Sequence, residues 1–182
     1  PVSNEWASVR ELEASVNEFN YAYEWKTSGE FGGPSYDWIE IAGEGGTKLE
    51  GLDSYSGPQW SEGIALPFSF NFYGNYYDTI YIGANGILTF TKGQDEYGYL
   101  FGVSDIPMEG IPDNYIAPLW LFGGPDWIEL FPLSGLYYLV EDDRIIVEYR
   151  DYNSAFSMGD PISYEAILYK NGMIKFQYVM PT

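Results

Sequence analysis

The chain contains no cysteine and no histidine, and its 8 Lys and Arg stand against 27 Asp and Glu, a formal net charge of −19 over 182 residues. Without imidazole or thiolate there is no Ser/His/Asp triad, no cysteine nucleophile, no haem or iron–sulfur ligation and no ordinary zinc site. The shortage of cations speaks against nucleic acid, whose binding depends on Lys and Arg neutralising phosphate, and against anionic membranes. No apolar run approaches the ~20 residues of a membrane-spanning helix. No signal-peptide series opens the chain, which begins at Pro1, ends in the strand-like Phe176-Gln177-Tyr178-Val179 and reads as an excised or processed piece. The missing cysteines do not decide the compartment, because many exported proteins carry none.

What is present is a globular composition. Hydrophobic residues make up 46% and aromatics 19%, with Tyr 18, Phe 11 and Trp 6. An acidic disordered tail would not carry that much apolar surface, and the length suits one folded domain. Tyrosine-rich, weakly charged mixtures of this kind resemble extracellular β-modules.

Two regimes of periodicity divide the sequence. In residues 1–20, Trp6, Val9, Leu12, Val16 and Phe19 recur at spacings of three and four between Glu5, Arg10, Glu11, Glu13 and Glu18, which predicts an amphipathic helix capped by Ser3 or Asn4. That stripe either packs on the domain or docks on a partner. From residue 21 to 182 the period becomes 2 and the punctuation becomes Gly and Pro. Segments 36–41, 68–73, 79–82, 87–91, 136–141, 144–150, 164–169 and 173–179 read as strands. Asn171-Gly172 predicts a C-terminal hairpin and Asp142-Asp143 another, the first on a turn with positive φ at both central residues. Many antiparallel strands and almost no internal helix predict an all-β, jelly-roll-like antiparallel β-sandwich. Phe68, Phe70 and Phe72 on one strand, and Ile145, Val147 and Tyr149 on another, are its expected core. Residues 93–134, rich in proline, read as long loops around one strand at 115–121, and long loops are where binding sites usually sit.

Several segments in fixed order carry a family resemblance: Tyr23-Glu24-Trp25, Gly32-Gly33-Pro34-Ser35-Tyr36-Asp37-Trp38-Ile39-Glu40-Ile41, Leu66-Pro67-Phe68-Ser69-Phe70-Asn71-Phe72-Tyr73-Gly74, Tyr81-Ile82-Gly83-Ala84-Asn85-Gly86-Ile87-Leu88-Thr89-Phe90 and Ile116-Ala117-Pro118-Leu119-Trp120. Together they resemble a module of secreted, multidomain bacterial and archaeal proteins, often attached to subtilisin-like peptidases or S-layer and other surface proteins. More distantly, the Asn-Gly strand followed by Ala-Pro-Leu-Trp is similar to the extracellular domain of nidogens. The resemblance implies a secreted or cell-surface, non-catalytic β-sandwich used for adhesion or attachment, and it carries no catalytic residues with it. Where similar domains tend to show acids after Pro-Leu-Trp, this chain has Leu121-Phe122-Gly123-Gly124-Pro125-Asp126-Trp127.

Three chemistries compete for the function. Sugars present flat C–H faces on which an aromatic ring can stack while neighbouring Asp, Asn or Gln bond the hydroxyls. The loop residues Trp127, Trp60, Tyr99, Tyr97 and Trp120, with Asp126 beside them, are the candidate ligand-binding set, although Trp and Tyr in a sandwich usually serve the core. Ca²⁺ is a possible ligand of the oxygen-rich clusters Asp95-Glu96, Asp105, Asp113-Asn114 and Asp142-Asp143, although scattered acid pairs are expected on so acidic a surface and Asp142-Asp143 reads better as a turn. Hydrolysis by two carboxyls would require Glu148 and Glu165 to face one groove, whereas a strand acid is more often the solvent-facing member of an alternating pattern. The sequence therefore points to a non-catalytic module that binds polysaccharide or cell-surface glycan, with a protein-interaction, spacer or adhesion domain of a surface or peptidase-linked protein as the alternative.

Overall fold

A computed structural model of the chain describes residues 8–9, 23–52, 59–92, 114–120, 123–125, 132–154 and 161–179. Its elements are β1 (Ser8–Val9), β2 (Lys26–Thr27), β3 (Thr47–Lys48), β4 (Ile64–Phe72), β5 (Asn75–Ile82), β6 (Leu88–Thr89), β7 (Tyr115–Ile116), β8 (Gly123–Pro125), β9 (Gly135–Val140), β10 (Arg144–Ser154), β11 (Ile162–Tyr169) and β12 (Ile174–Val179). The large sheet runs β2-β1-β12-β11-β10-β9-β3, with β8 also on β10, and the small sheet runs β4-β5-β6-β7. All pairings are antiparallel.

Period-2 alternation builds the core between the sheets. Ile64, Leu66, Phe68, Phe70 and Phe72 of β4 meet Ile145, Val147 and Tyr149 of β10 and Tyr164, Ala166 and Leu168 of β11 in one buried cluster. Burying a large apolar side chain contributes ~1.5–3 kcal/mol, so these inward rows hold the two sheets face to face. β4 lies at the edge of the small sheet among the described strands and carries Pro67, which has no N–H to offer a further strand.

Both expected hairpins form. β11 and β12 pair from Ser163↔Val179 to Leu168↔Ile174, and β9 and β10 from Val140↔Ile145 to Gly135↔Arg150. The first turn differs from the expectation. Only Gly172 is left-handed at the first (φ 88°), so a Gly following an ordinary turn closes it, and neither Asp142 nor Asp143 has positive φ at the second. Positive φ at both central residues occurs instead in the β4–β5 turn, at Tyr73 (φ 48°) and Gly74 (φ 83°).

Three further expectations are corrected. β4 to β7 and β9 to β12 are each meanders of sequence neighbours, without the Greek-key crossings of a jelly roll among the described strands, because tight turns at 73–74 and 142–143 return the chain at once. Ser8 and Val9 lie between β2 and β12 as strand rather than helix. The open edge of β12 offers unpaired backbone groups, and pairing there outweighs the helical stripe at those two positions; Trp6, Leu12, Val16 and Phe19 lie outside the described residues. Within 93–134, the strand at 115–121 shortens to Tyr115–Ile116 ahead of Pro118, and Gly123–Pro125 pairs with β10.

The large sheet is covered on its second face too. Residues 36–41, expected as a strand, join no ladder, and the chain turns at Ala42. They cross over β12, β11 and β10, and Ile41 and Ala42 pack with Tyr137, Ile146 and Ile167, flanked by Ile39, Leu139 and Tyr169.

Candidate functional site

The family-like segments meet in space. Three tyrosines of the large sheet point across the core: Tyr149 and Tyr164 stack at 4.5 Å, and Tyr152 stands edge-on to Tyr149 at 5.2 Å. Their hydroxyls donate to backbone carbonyls at the ends of the opposite strands, Tyr149 to Gly83 (2.9 Å), Tyr152 to Ala84 (3.0 Å) and Tyr164 to Leu119 (3.5 Å), while Tyr178 reaches Pro118 (2.6 Å). Burial raises the Tyr149 and Tyr164 hydroxyls well above the usual phenol range and pushes Tyr178 up to about 12, so they remain donors. The loop 83–87 closes on Gly83 N–H to Ile87 O (2.8 Å) and a left-handed Gly86 (φ 84°). A side chain at Gly86 would stand 1.9 Å from the Leu119 carbonyl. The Asn-Gly and Ala-Pro-Leu-Trp signatures are thus two loops pressed together and tied to the far sheet by tyrosines.

The candidate ligand-binding residues fall in different places. Trp60 is 6% exposed, bridges Gly83, and leaves its indole Nε1 without a hydrogen-bond partner. Buried there, its ring serves packing and offers no open face. Trp120 is half-buried and edge-on to Tyr115 at 5.9 Å. Trp127, Tyr97, Tyr99 and Asp126 lie outside the described residues, as do Asp95-Glu96, Asp105 and Asp113 of the calcium clusters. Asp142-Asp143 forms the β9–β10 turn, and among the described residues no group of three or more Asp or Glu is arranged to hold a metal ion.

Sequence reasoning missed the aromatics that are exposed. Trp25 is 72% exposed, Tyr76 70% and Tyr73 53%. Tyr73 occupies a left-handed position unusual for a bulky residue, at the tip of the β4–β5 hairpin. Its ring meets Tyr23 and Phe72, both at 4.8 Å, and Tyr23, two residues before Trp25, donates to the Asn71 carbonyl (3.3 Å). Tyr76 stands opposite Asn71 in the hairpin register. The signal was available in Tyr73-Gly74, where a turn residue that is not Asn, Asp or Gly marks a side chain placed at a tip.

The carboxyl pair has another geometry than either expected one. Glu148 and Glu165 are direct cross-strand partners, and Glu165 faces Gln177 on β12. All three are fully buried, on the face away from the sandwich core, under residues 37–42. Glu148 is therefore not solvent-facing, and the pair opens to no groove. Gln177 exchanges two bonds with Asp37, accepting its N–H (2.6 Å) and donating to its carbonyl (2.7 Å), and also donates to Glu165. Glu165 accepts Ile39 N–H (3.3 Å), and one oxygen of Glu148 accepts both Ile41 and Ala42 N–H (3.0 Å each). Every second N–H of the crossing segment is thus received by a side chain from the next strand, which explains why it needs no ladder. Burial raises the Glu148 carboxyl, opposed by those two N–H groups, and pushes Glu165 up to about 8. Arg150 bonds Glu40 (2.7 Å) and approaches Glu148 (3.4 Å), while Glu165 Oε2 has no partner.

A family profile described as NIDO related matches residues 30–182. No curated protein and no solved structure matches the chain. The matched span takes in the tyrosine-tied loops, both hairpins and the crossing segment. The chain belongs to the NIDO-related family.

Proposed function

We propose that this domain is a non-catalytic extracellular binding module that takes polysaccharide or a cell-surface glycan on exposed aromatic rings. The observation that carries the reading is the pair of exposed rings at the β4–β5 hairpin: Tyr73 and Tyr76 stand out beside the polar Asn71 and Asn75, and Tyr73 packs on Tyr23, two residues before the exposed Trp25. Such rings suit sugar C–H faces, and flanking amides suit hydroxyls. Tyr73 is propped by Tyr23 and Phe72, so little side-chain freedom is lost on binding. Trp127, Tyr97, Tyr99 and Asp126 are proposed as a second bank on sequence grounds. The absence of catalysis is supported by Glu148 and Glu165 being spent on backbone donors beneath a covering segment. A secreted or surface location, in a bacterial or archaeal multidomain protein, follows the resemblance of the motifs.

Affinity electrophoresis through a panel of soluble polysaccharides, with pull-down on insoluble ones, tests the reading. Retention that falls in Tyr73→Ala and Tyr76→Ala with an unchanged melt is the expected result. Retention on none of the panel favours a protein-interaction or spacer domain, for which the same exposed aromatics and family membership speak. Hydrolysis of any glycan overturns both readings.

A further inference from the structure

The covering segment rests on the least ordinary chemistry in the molecule, two carboxyls placed directly opposite each other in a sheet and shut away from water. Two carboxylates cannot comfortably share such a site, since like charges opposed across strands repel and each ion loses its hydration. We infer that residues 37–42 form a proton-held latch: a proton kept on the Glu148–Glu165 pair seats the segment across β12, β11 and β10, and its loss lets the segment lift and bare the sheet face beneath.

The groups around the pair support the assignment. From β10 come Glu148 itself and Arg150, and Arg150 is shared with Glu40 and with Asp151 (3.5 Å). From β12 come Gln177, which is uncharged, and Lys175, whose ammonium burial holds below the usual range. From the latch come Asp37 and Glu40, both acids. Arg144 is taken by Glu141 and Tyr169; Tyr169, raised chiefly by burial, also feels Glu165 and Asp37, and Tyr137 on β9 is raised, chiefly by burial. Glu165 therefore makes no direct ion pair among the described residues, Lys175 acting on it only from farther off, and its Oε2 has no hydrogen-bond partner. The latch has no ladder of its own: at Asp37, Ile39, Ile41 and Ala42 the sheet receives its N–H groups through these three side chains. Beside the three polar side chains, lifting would uncover an apolar patch of Ile146, Ile167 and Tyr137 under Ile41 and Ala42.

In the lifted state Glu165 meets water and returns to the ordinary carboxyl range, so by linkage the opening constant rises up to tenfold per pH unit once the pH exceeds that range and levels off where the seated carboxyl ionises. Amide hydrogen exchange at Ile39, Ile41 and Ala42, corrected for intrinsic rates and followed from pH 5 to pH 9, reads this directly. The expected result is protection that falls at least a hundredfold across the range, that stays below the protection of Ile146 and Ile167 in the sheet, and that becomes nearly flat in Glu165→Gln. Protection constant within about twofold in the wild type overturns the latch. So does protection equal to that of Ile146 and Ile167 at every pH, since the segment would then open only with the whole fold. Should Glu165→Gln fail to fold, the ¹³Cδ titration of Glu165 in the wild type replaces it, and a midpoint in the ordinary carboxyl range refutes the inference.

Discussion

The hydroxyl of Tyr149, on the large sheet, donates to the carbonyl of Gly83, at the end of β5 on the small one, across 2.9 Å of closed core. With Tyr152 to Ala84 (3.0 Å) it ties the two layers at the Asn-Gly loop. Tyr149→Phe takes from the Gly83 carbonyl its cross-sheet donor and leaves it only the Gly86 N–H at 3.3 Å, so chemical denaturation is expected to show a loss of about 1 kcal/mol. Tyr152→Phe should behave alike, and the double variant should fall short of the sum, because the two rings touch and serve adjacent carbonyls.

Gly86 combines a left-handed backbone with a very close approach, 1.9 Å from a built Cβ to the Leu119 carbonyl. Gly86→Ala must part the two loops and is expected to cost about 3 kcal/mol or more. Gly45 is the control: it too is left-handed (φ 106°), but nothing lies within 4 Å of its built Cβ. Gly45→Ala should cost only the backbone term, about 1–2 kcal/mol. Equal losses in thermal melts would show that the loop contact is not what constrains Gly86.

Trp60 tests packing against polarity. Its ring lies against Gly83 and its Nε1 has no partner. Trp60→Phe gives up area but frees the molecule of an unsatisfied donor, and it should cost well under the ~3–5 kcal/mol expected of Trp60→Ala. Both should leave polysaccharide retention unchanged if the hairpin rings are the platform.

The raised carboxyl of Glu165 fixes the sign of a pH dependence. Folded, it holds its proton up to about 8; unfolded, it releases it in the ordinary carboxyl range. Between those limits the native state binds more protons than the unfolded one, so its contribution is complete in mild acid and is lost progressively as the pH climbs to about 8. Urea unfolding should show stability falling by up to ~1.4 kcal/mol per pH unit in that window. Glu165→Gln, which cannot ionise, should flatten the slope.

Much of this architecture is written in period 2. Phe68, Phe70 and Phe72, and Ile145, Val147 and Tyr149, announce their inward faces, and all six are buried. The hairpins at 142–143 and 171–172 are equally plain, although Asn171 lacks the positive φ expected of it. Residues 36–41 were legible as extended but not as unpaired, because the partners of Asp37, Ile39 and Ile41 are side chains more than a hundred residues away. The same distance hides Glu148 and Glu165: alternation places them off the core face, and only the tertiary fold covers that face. At the site, sequence distinguishes aromatics by neighbours and not by exposure, so Trp60 entered the candidate set while Tyr73 and Tyr76 did not.

The crossing direction of residues 37–42 has one more effect. An extended chain lying beside β12 would present a second row of free N–H and C=O groups, an invitation to strands of other molecules. Turned across the sheet, the same residues are received at three fixed addresses, Gln177, Glu165 and Glu148, and none of those addresses can be offered onward. A backbone ladder accepts nearly any sequence; this seat discriminates. In a domain rich in β-forming aromatics, the arrangement leaves these residues no free ladder to extend, adding to the mutual repulsion of a net charge of −19.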